Sequence, residues 1–243
     1  MNDNQQLKNI GHLIFLHLFP GLLTVLCQLL LIRSGLLRGM PNVFILATAG
    51  IIGIIGWEGG YLCYQSKKET GSWNFLKIMG FRTEKRNKKL IVYGVGLFMF
   101  LGICFTIFKP LSSLLLDTIF NFMPAEFQLN QLLTGYSKPV IIAVLFVYIF
   151  VFAVLYPIIE EFYFRGFLLN RMKWLGNRGI VLNTVLFACY HFWSPWLIIT
   201  RIIGLLPLYY TVSKKHSLKL GIIVHCLANT TDIFPILSLL GRV

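Results

Sequence analysis

The stretch Pro157-Ile-Ile-Glu160-Glu161-Phe-Tyr-Phe-Arg165-Gly166 places two adjacent carboxylates and an arginine at the edge of an apolar run, Pro139 to Ile159, that carries no charge. The chain has only nine acidic residues, so two side by side at such a boundary invite a chemical explanation. On a helix Glu161 and Arg165 are four apart and share a face on which they can pair, whereas Glu160 is rotated by about 100° and stays free for proton chemistry. Two later stretches carry polar groups able to complete a site: Phe187-Ala-Cys-Tyr-His191 and His225-Cys-Leu-Ala-Asn229. A carboxylate near imidazoles suits general acid-base work, and an asparagine amide beside an imidazole can donate to a developing negative charge.

Depth along the chain supports one site. At about 1.5 Å per residue, His225 lies roughly 9 Å along its helix from Lys219, and His191 roughly 20 Å from Arg178. Glu160 is expected near the inner end of its own helix. His225, Asn229 and Asp232 follow at i, i+4 and i+7 and form one polar stripe. Ionisable groups at membrane depth are costly and face a bundle interior or a water-filled cavity. The bland alternative is that Glu160, Glu161 and Arg165 form a boundary cluster, with each histidine packed on a backbone carbonyl.

The elements that must position these groups are membrane helices. With 243 residues, 56 % hydrophobic and 13 % charged, the chain is far too apolar for a soluble domain of this size. The expected fold is an all-α integral membrane protein, a bundle of about seven to eight transmembrane helices. Residues 1–138 supply N-terminal helices, and residues 139–243 a helical core that carries the site. The expected spans are Gly11 to Ile32, Pro41 to Tyr64, Leu90 to Phe108, Pro139 to Ile159, Gly179 to Trp193, Trp196 to Val212 and Leu220 to Leu240. Leu111 to Met123 is too short to cross and reads as an interfacial helix.

The net charge of +13 falls in short segments between apolar runs, which argues against nucleic acid as a partner. The richest of these, Gln65 to Lys89, is assigned to the cytoplasm by the positive-inside rule, with anionic lipid as its neighbour. This places the N-terminus in the cytoplasm too, in a multi-pass protein of the cell membrane. His12 and His17 read as packing groups, and Glu58 as a boundary residue. Cys27, Cys63, Cys104, Cys189 and Cys226 all lie in apolar runs without CxxC spacing and read as small core hydrophobes.

Glu-Glu-x-x-x-Arg, then Phe-x-x-x-His, then His-x-x-x-Asn on successive helices resembles the CPBP family of intramembrane proteases (CAAX protease and bacteriocin-processing, also called Abi), which includes the Ras-converting CAAX endopeptidases. The likeness covers about Val140 to Leu240. It implies that Glu160 is the catalytic glutamate with Glu161 and Arg165 as its partners, that His191 helps Glu160 to activate water, and that His225 and Asn229 stabilise the oxyanion. The implied substrate is a peptide, a leader peptide or a lipidated protein, with roles in bacteriocin or signal-peptide maturation or self-immunity.

Hydrolysis of a peptide bond needs a nucleophilic water and a place for the charge on the carbonyl oxygen, and these six residues can supply both. No cofactor is required by that scheme. A zinc version would use Glu160, His191 and His225 with an open fourth position, although no His-Glu-x-x-His is present. Two other readings use the same polar residues: a membrane scaffold or regulator without hydrolysis, and a small transporter, against which the absence of an evident internal repeat counts.

Overall fold

The computed structural model describes residues 6–80, 88–128 and 133–241. Arg82, Glu84, Lys85 and Arg86 of the basic loop, and Arg242 and Val243, lie outside the described residues. Among the described residues all regular structure is helical, as a chain in lipid requires when its backbone groups must be satisfied internally.

The elements are α1 (Ile10–Ser34), α2 (Asn42–Thr70), α3 (Lys88–Ile107), α4 (Lys109–Thr118) and α5 (Lys138–Leu169). They continue with α6 (Asn177–Tyr190), α7 (Ile198–Lys215), α8 (Leu218–Thr230) and α9 (Ile233–Leu240). Among the described residues six stretches are long and apolar enough to cross a bilayer: α1, α2, Lys89–Ile107, α5, Pro195–Lys215 and Leu218–Leu240. The expected Gly179 to Trp193 crossing is the 14-residue α6, about 21 Å long and so shorter than a hydrocarbon core of about 30 Å. Large apolar side chains on the outer faces, among them Ile91, Val92, Ile103, Phe146 and Phe150, are more than half exposed, which suits lipid and not water.

α5 is the central element. It packs against α2 on one side and against α6 and α8 on the others. It also departs from the sequence expectation, because it does not stop at Ile159 but runs to Leu169, so Glu160 and Glu161 sit inside a 32-residue helix. The reason is visible in the residues that follow: Tyr163, Phe164, Phe167 and Leu168 are all buried and continue the core past the carboxylates.

Small residues and backbone hydrogen bonds bring the N-terminal helices onto this core. A side chain at Gly21 of α1 would run into the carbonyl and ring of Tyr190 at the end of α6, a close approach that only glycine permits. Tyr163 donates its hydroxyl to the Leu16 carbonyl at 2.8 Å, and Tyr156 donates to the carbonyl of Ala47. His17 is the packing group expected of it, since its Nδ1 donates to the Leu13 carbonyl at 2.8 Å and its Nε2 accepts from Asn183 at 3.0 Å.

The first part of the basic loop packs on the core. Phe75–Ile78 forms a 3-10 turn with Ile78 buried, Phe75 packs edge-on against Phe162 at 5.2 Å, and the Gly80 N–H donates to the Gly166 carbonyl at 3.2 Å. Nearby, Glu69 at the end of α2 accepts two hydrogen bonds from Arg171 at 2.7 and 2.8 Å. All five cysteines are free thiols.

Candidate active site

Helical spacing brings Glu160, Glu161 and Arg165 onto the inner surface of α5. Glu161 and Arg165 pair one turn apart at 3.4 Å, both wholly enclosed. The guanidinium carbon of Arg165 lies 3.8 Å from the Phe187 ring centre of α6 and 3.3 Å from that of Tyr209 of α7. A planar, weakly hydrated cation is suited to such a slot between rings, and it supplies positive charge beside Glu161.

α8 delivers His225 between the two carboxylates. Its Nδ1 meets Glu161 Oε1 at 3.0 Å, and its Nε2 faces Glu160 Oε2 at 3.7 Å. A carboxylate only accepts, so Nδ1 carries the proton in that bond. Glu160 is not left unpaired, as its rotation away from Arg165 suggested: the Tyr190 hydroxyl of α6 donates to its Oε1 at 3.0 Å. Oε2 is the carboxylate oxygen on the histidine side.

His191 ends α6, where the chain bends. Its Nδ1 donates to the Phe187 carbonyl at 2.8 Å, which leaves Nε2 as a proton acceptor. The rings of His191 and His225 approach Phe187 edge-on, at centroid distances of 4.7 and 6.0 Å. The two imidazoles therefore flank one aromatic ring, which the sequence indicated only as the Phe of Phe-x-x-x-His. The bend that follows is held by Arg201 of α7, which donates to the Ser194 carbonyl at 2.9 Å and to its hydroxyl at 2.7 Å.

Asn229 lies one turn after His225, and its amide donates to the Phe152 carbonyl of α5 at 2.8 Å, leaving one N–H for another acceptor. The polar stripe ends there. α8 stops at Thr230, and Asp232 sits exposed in the turn before α9, because two further residues of turn replace the helix that the i, i+7 spacing assumed.

Glu58 of α2 is the residue that the sequence reading misplaced. It is fully buried, and neither carboxylate oxygen completes a hydrogen bond. It lies beside the Tyr190 hydroxyl and within Coulombic reach of Glu160 and Arg165. Trp57 before it and Gly59-Gly60 after it resemble a membrane boundary in sequence, but α2 continues for ten residues beyond them, to Thr70. Tyr190 and Arg201 were also unmarked, Tyr190 because it sits inside Phe-x-x-x-His as a variable position.

Among the described residues no three His, Cys, Asp or Glu side chains are grouped to hold a metal ion. His191 turns its Nδ1 to a carbonyl and His225 its Nδ1 to Glu161, so Nε2 is the ring nitrogen that each turns to the site. An apolar cavity of about 440 Å³ lies beside the bend after His191, lined by Val25, Leu29, Phe122, Met123, Phe127 and Phe192 among others.

Residues 142–231 match the model of a family described as type II CAAX prenyl endopeptidase, Rce1-like. The matched segment contains Glu160, Glu161, Arg165, His191, His225 and Asn229, and it leaves Glu58 outside. No curated protein and no solved structure matches the chain.

Proposed function

We propose that this chain, which over residues 142–231 belongs to the Rce1-like family of type II CAAX prenyl endopeptidases, hydrolyses a peptide bond of a membrane-associated substrate with Glu160 as general base. The observation that carries the reading is the enclosed constellation on three helices: Glu160 with one oxygen held by Tyr190, His225 between Glu160 and Glu161, and His191 with a free ring nitrogen.

In this scheme Glu160 Oε2 takes a proton from a water that His191 Nε2 helps to orient, and the water oxygen bonds to the substrate carbonyl carbon. His225, between its two carboxylates, donates Nδ1–H to Glu161 and Nε2–H to the oxyanion. The second N–H of Asn229 donates to the same oxygen. The C–N bond then breaks as Glu160 returns its proton to the leaving amine, giving a carboxylic acid and an amine, between which the second water proton is exchanged. Arg165 holds Glu161 in place.

The apolar cavity beside the bend after His191 has the lining for a lipid chain or a hydrophobic side chain of the substrate. A prenylated peptide or a leader peptide meets that requirement, and maturation of a bacteriocin or signal peptide, or self-immunity, is the corresponding role. The distribution of basic residues supports a cytoplasmic side for the N-terminus and for the loop that begins after α2, in the cell membrane.

The test is cleavage of prenylated and leader-type peptides by the purified protein in detergent, with and without a strong zinc chelator, beside Glu160→Gln and His191→Ala. The expected result is cleavage that survives chelation and is lost in both variants. Chelator sensitivity would move the reaction to a metal-dependent one. Absence of cleavage, with both variants still functional in cells, would overturn the enzyme reading in favour of a scaffold or regulator.

A further inference from the structure

The proposed reaction uses the carboxylates of α5 and leaves unexplained the one on α2. Glu58 is 0 % exposed and has no hydrogen-bond partner for either oxygen, while the neighbouring Trp57 Nε1 is also buried and unpartnered. A buried ionised carboxylate without a partner would cost several kcal/mol on the order of its desolvation, and no helix boundary is near enough for it to reach water. The groups facing it are Glu160 of α5, Tyr190 of α6, Arg165 and Tyr163. Arg165 is already engaged by Glu161 and two aromatic rings.

Tyr190 has one proton, and it is directed to Glu160 Oε1 at 3.0 Å. The lone pairs of the same phenol oxygen are therefore the acceptor that Glu58 finds beside it. A Glu58 carboxyl that keeps its own proton can donate it there, which satisfies Glu58 and directs the Tyr190 proton to Glu160 and nowhere else. Two buried carboxyl groups in mutual Coulombic reach favour sharing of charge in this manner, one neutral and one ionised.

We propose that Glu58 is a positioning residue for the hydrolytic centre: its neutral carboxyl donates to the Tyr190 oxygen, so that Tyr190 holds Glu160 Oε1 and leaves Oε2 to face His225 and the attacking water. This rests on the reading of Glu160 as general base. It extends the site from the matched segment into α2, and it gives the N-terminal helices a part in the chemistry.

The experiment compares Glu58→Ala, Glu58→Gln, Tyr190→Phe and the Glu58→Ala/Tyr190→Phe double variant, in full-length detergent-solubilised protein, on a prenylated peptide that the wild type cleaves. Glu58→Ala should lower kcat on the order of tenfold with KM little changed. Glu58→Gln, whose amide N–H can donate to the same phenol oxygen, should rescue most of that loss. Tyr190→Phe should match Glu58→Ala, and the double variant should be no worse than either.

Wild-type kcat in Glu58→Ala, no rescue by Glu58→Gln at equal thermal stability, or additive losses in the double variant would each overturn the proposal. Infrared difference spectra of wild type against Glu58→Gln read the same bond without turnover. A neutral carboxyl band absent in Glu58→Gln and shifted in Tyr190→Phe is expected, and the lack of such a band would overturn the proposal. If instead the wild type cleaves nothing, or Glu160→Gln is active, the general-base reading fails. The infrared band then decides the Glu58 bond on its own.

Discussion

His225 stands between the two carboxylates of α5, with Nδ1 donating to Glu161 Oε1 at 3.0 Å and Nε2 3.7 Å from Glu160 Oε2. One ring thus senses both neighbours, and Glu161 fixes its orientation through Nδ1. Glu161→Gln weakens that acceptor and lets its own N–H groups compete for Nδ1, so the ring loses its fixed orientation. A loss of about 10- to 100-fold in kcat is expected, the size seen when the partner that orients a ligating histidine is removed. Peptide cleavage measures it, and Glu161→Asp should fall between, because it keeps the charge and retracts it.

The Arg165 guanidinium makes its ion pair at 3.4 Å without a hydrogen bond of good geometry, and its packing comes from two ring faces. Arg165→Met keeps much of that packing and leaves Glu161 as an uncompensated buried charge, which should cost about 3–5 kcal/mol. Arg165→Met/Glu161→Leu removes both charges and should recover much of the loss. Thermal unfolding in detergent separates the two. Equal melting temperatures in the single and double variants would mean that the pair contributes through shape and not through charge.

Much of this site could be read before any fold was known. Glu160, Glu161 and Arg165 follow from helical spacing, and the two histidines follow from depth, because in a bilayer each ionisable group is conspicuous against apolar neighbours. Glu58 was equally conspicuous but was misread, since local composition around Trp57 and Gly59 resembles a helix end and says nothing of what packs there. The register between α2 and α5 decides that, and it depends on contacts such as Tyr156 against Ala47. Asp232 erred in the opposite direction: periodicity continued the stripe through a turn that the chain makes at residues 231–232.

Arg201 has no contact in sequence with any motif, yet it fixes the bend after His191 through both its donors to Ser194. Arg201→Lys can keep one of these bonds but not the planar two-donor grip. The segment Phe192 to Leu197 should then exchange its backbone hydrogens faster, and kcat should fall by roughly tenfold if His191 loses its register. Hydrogen exchange with unchanged rates in that segment would assign Arg201 a different role.

Gly21 offers a test of how α1 supports the centre from the other side. A methyl group there would overlap the Tyr190 carbonyl and ring, so Gly21→Ala must push α1 outward or move Tyr190, the residue that holds Glu160 Oε1. At Gly96 of α3 an added methyl group meets nothing within 4 Å, and Gly96→Ala should be neutral or stabilising by up to about 1 kcal/mol through helix propensity alone. Gly21→Ala should lower both the melting temperature and kcat, by about 1–3 kcal/mol in stability as for other overpacked cores. If activity survives in Gly21→Ala while stability falls, α1 serves the bundle only, because Tyr190 then keeps its hold on Glu160 when its support is disturbed.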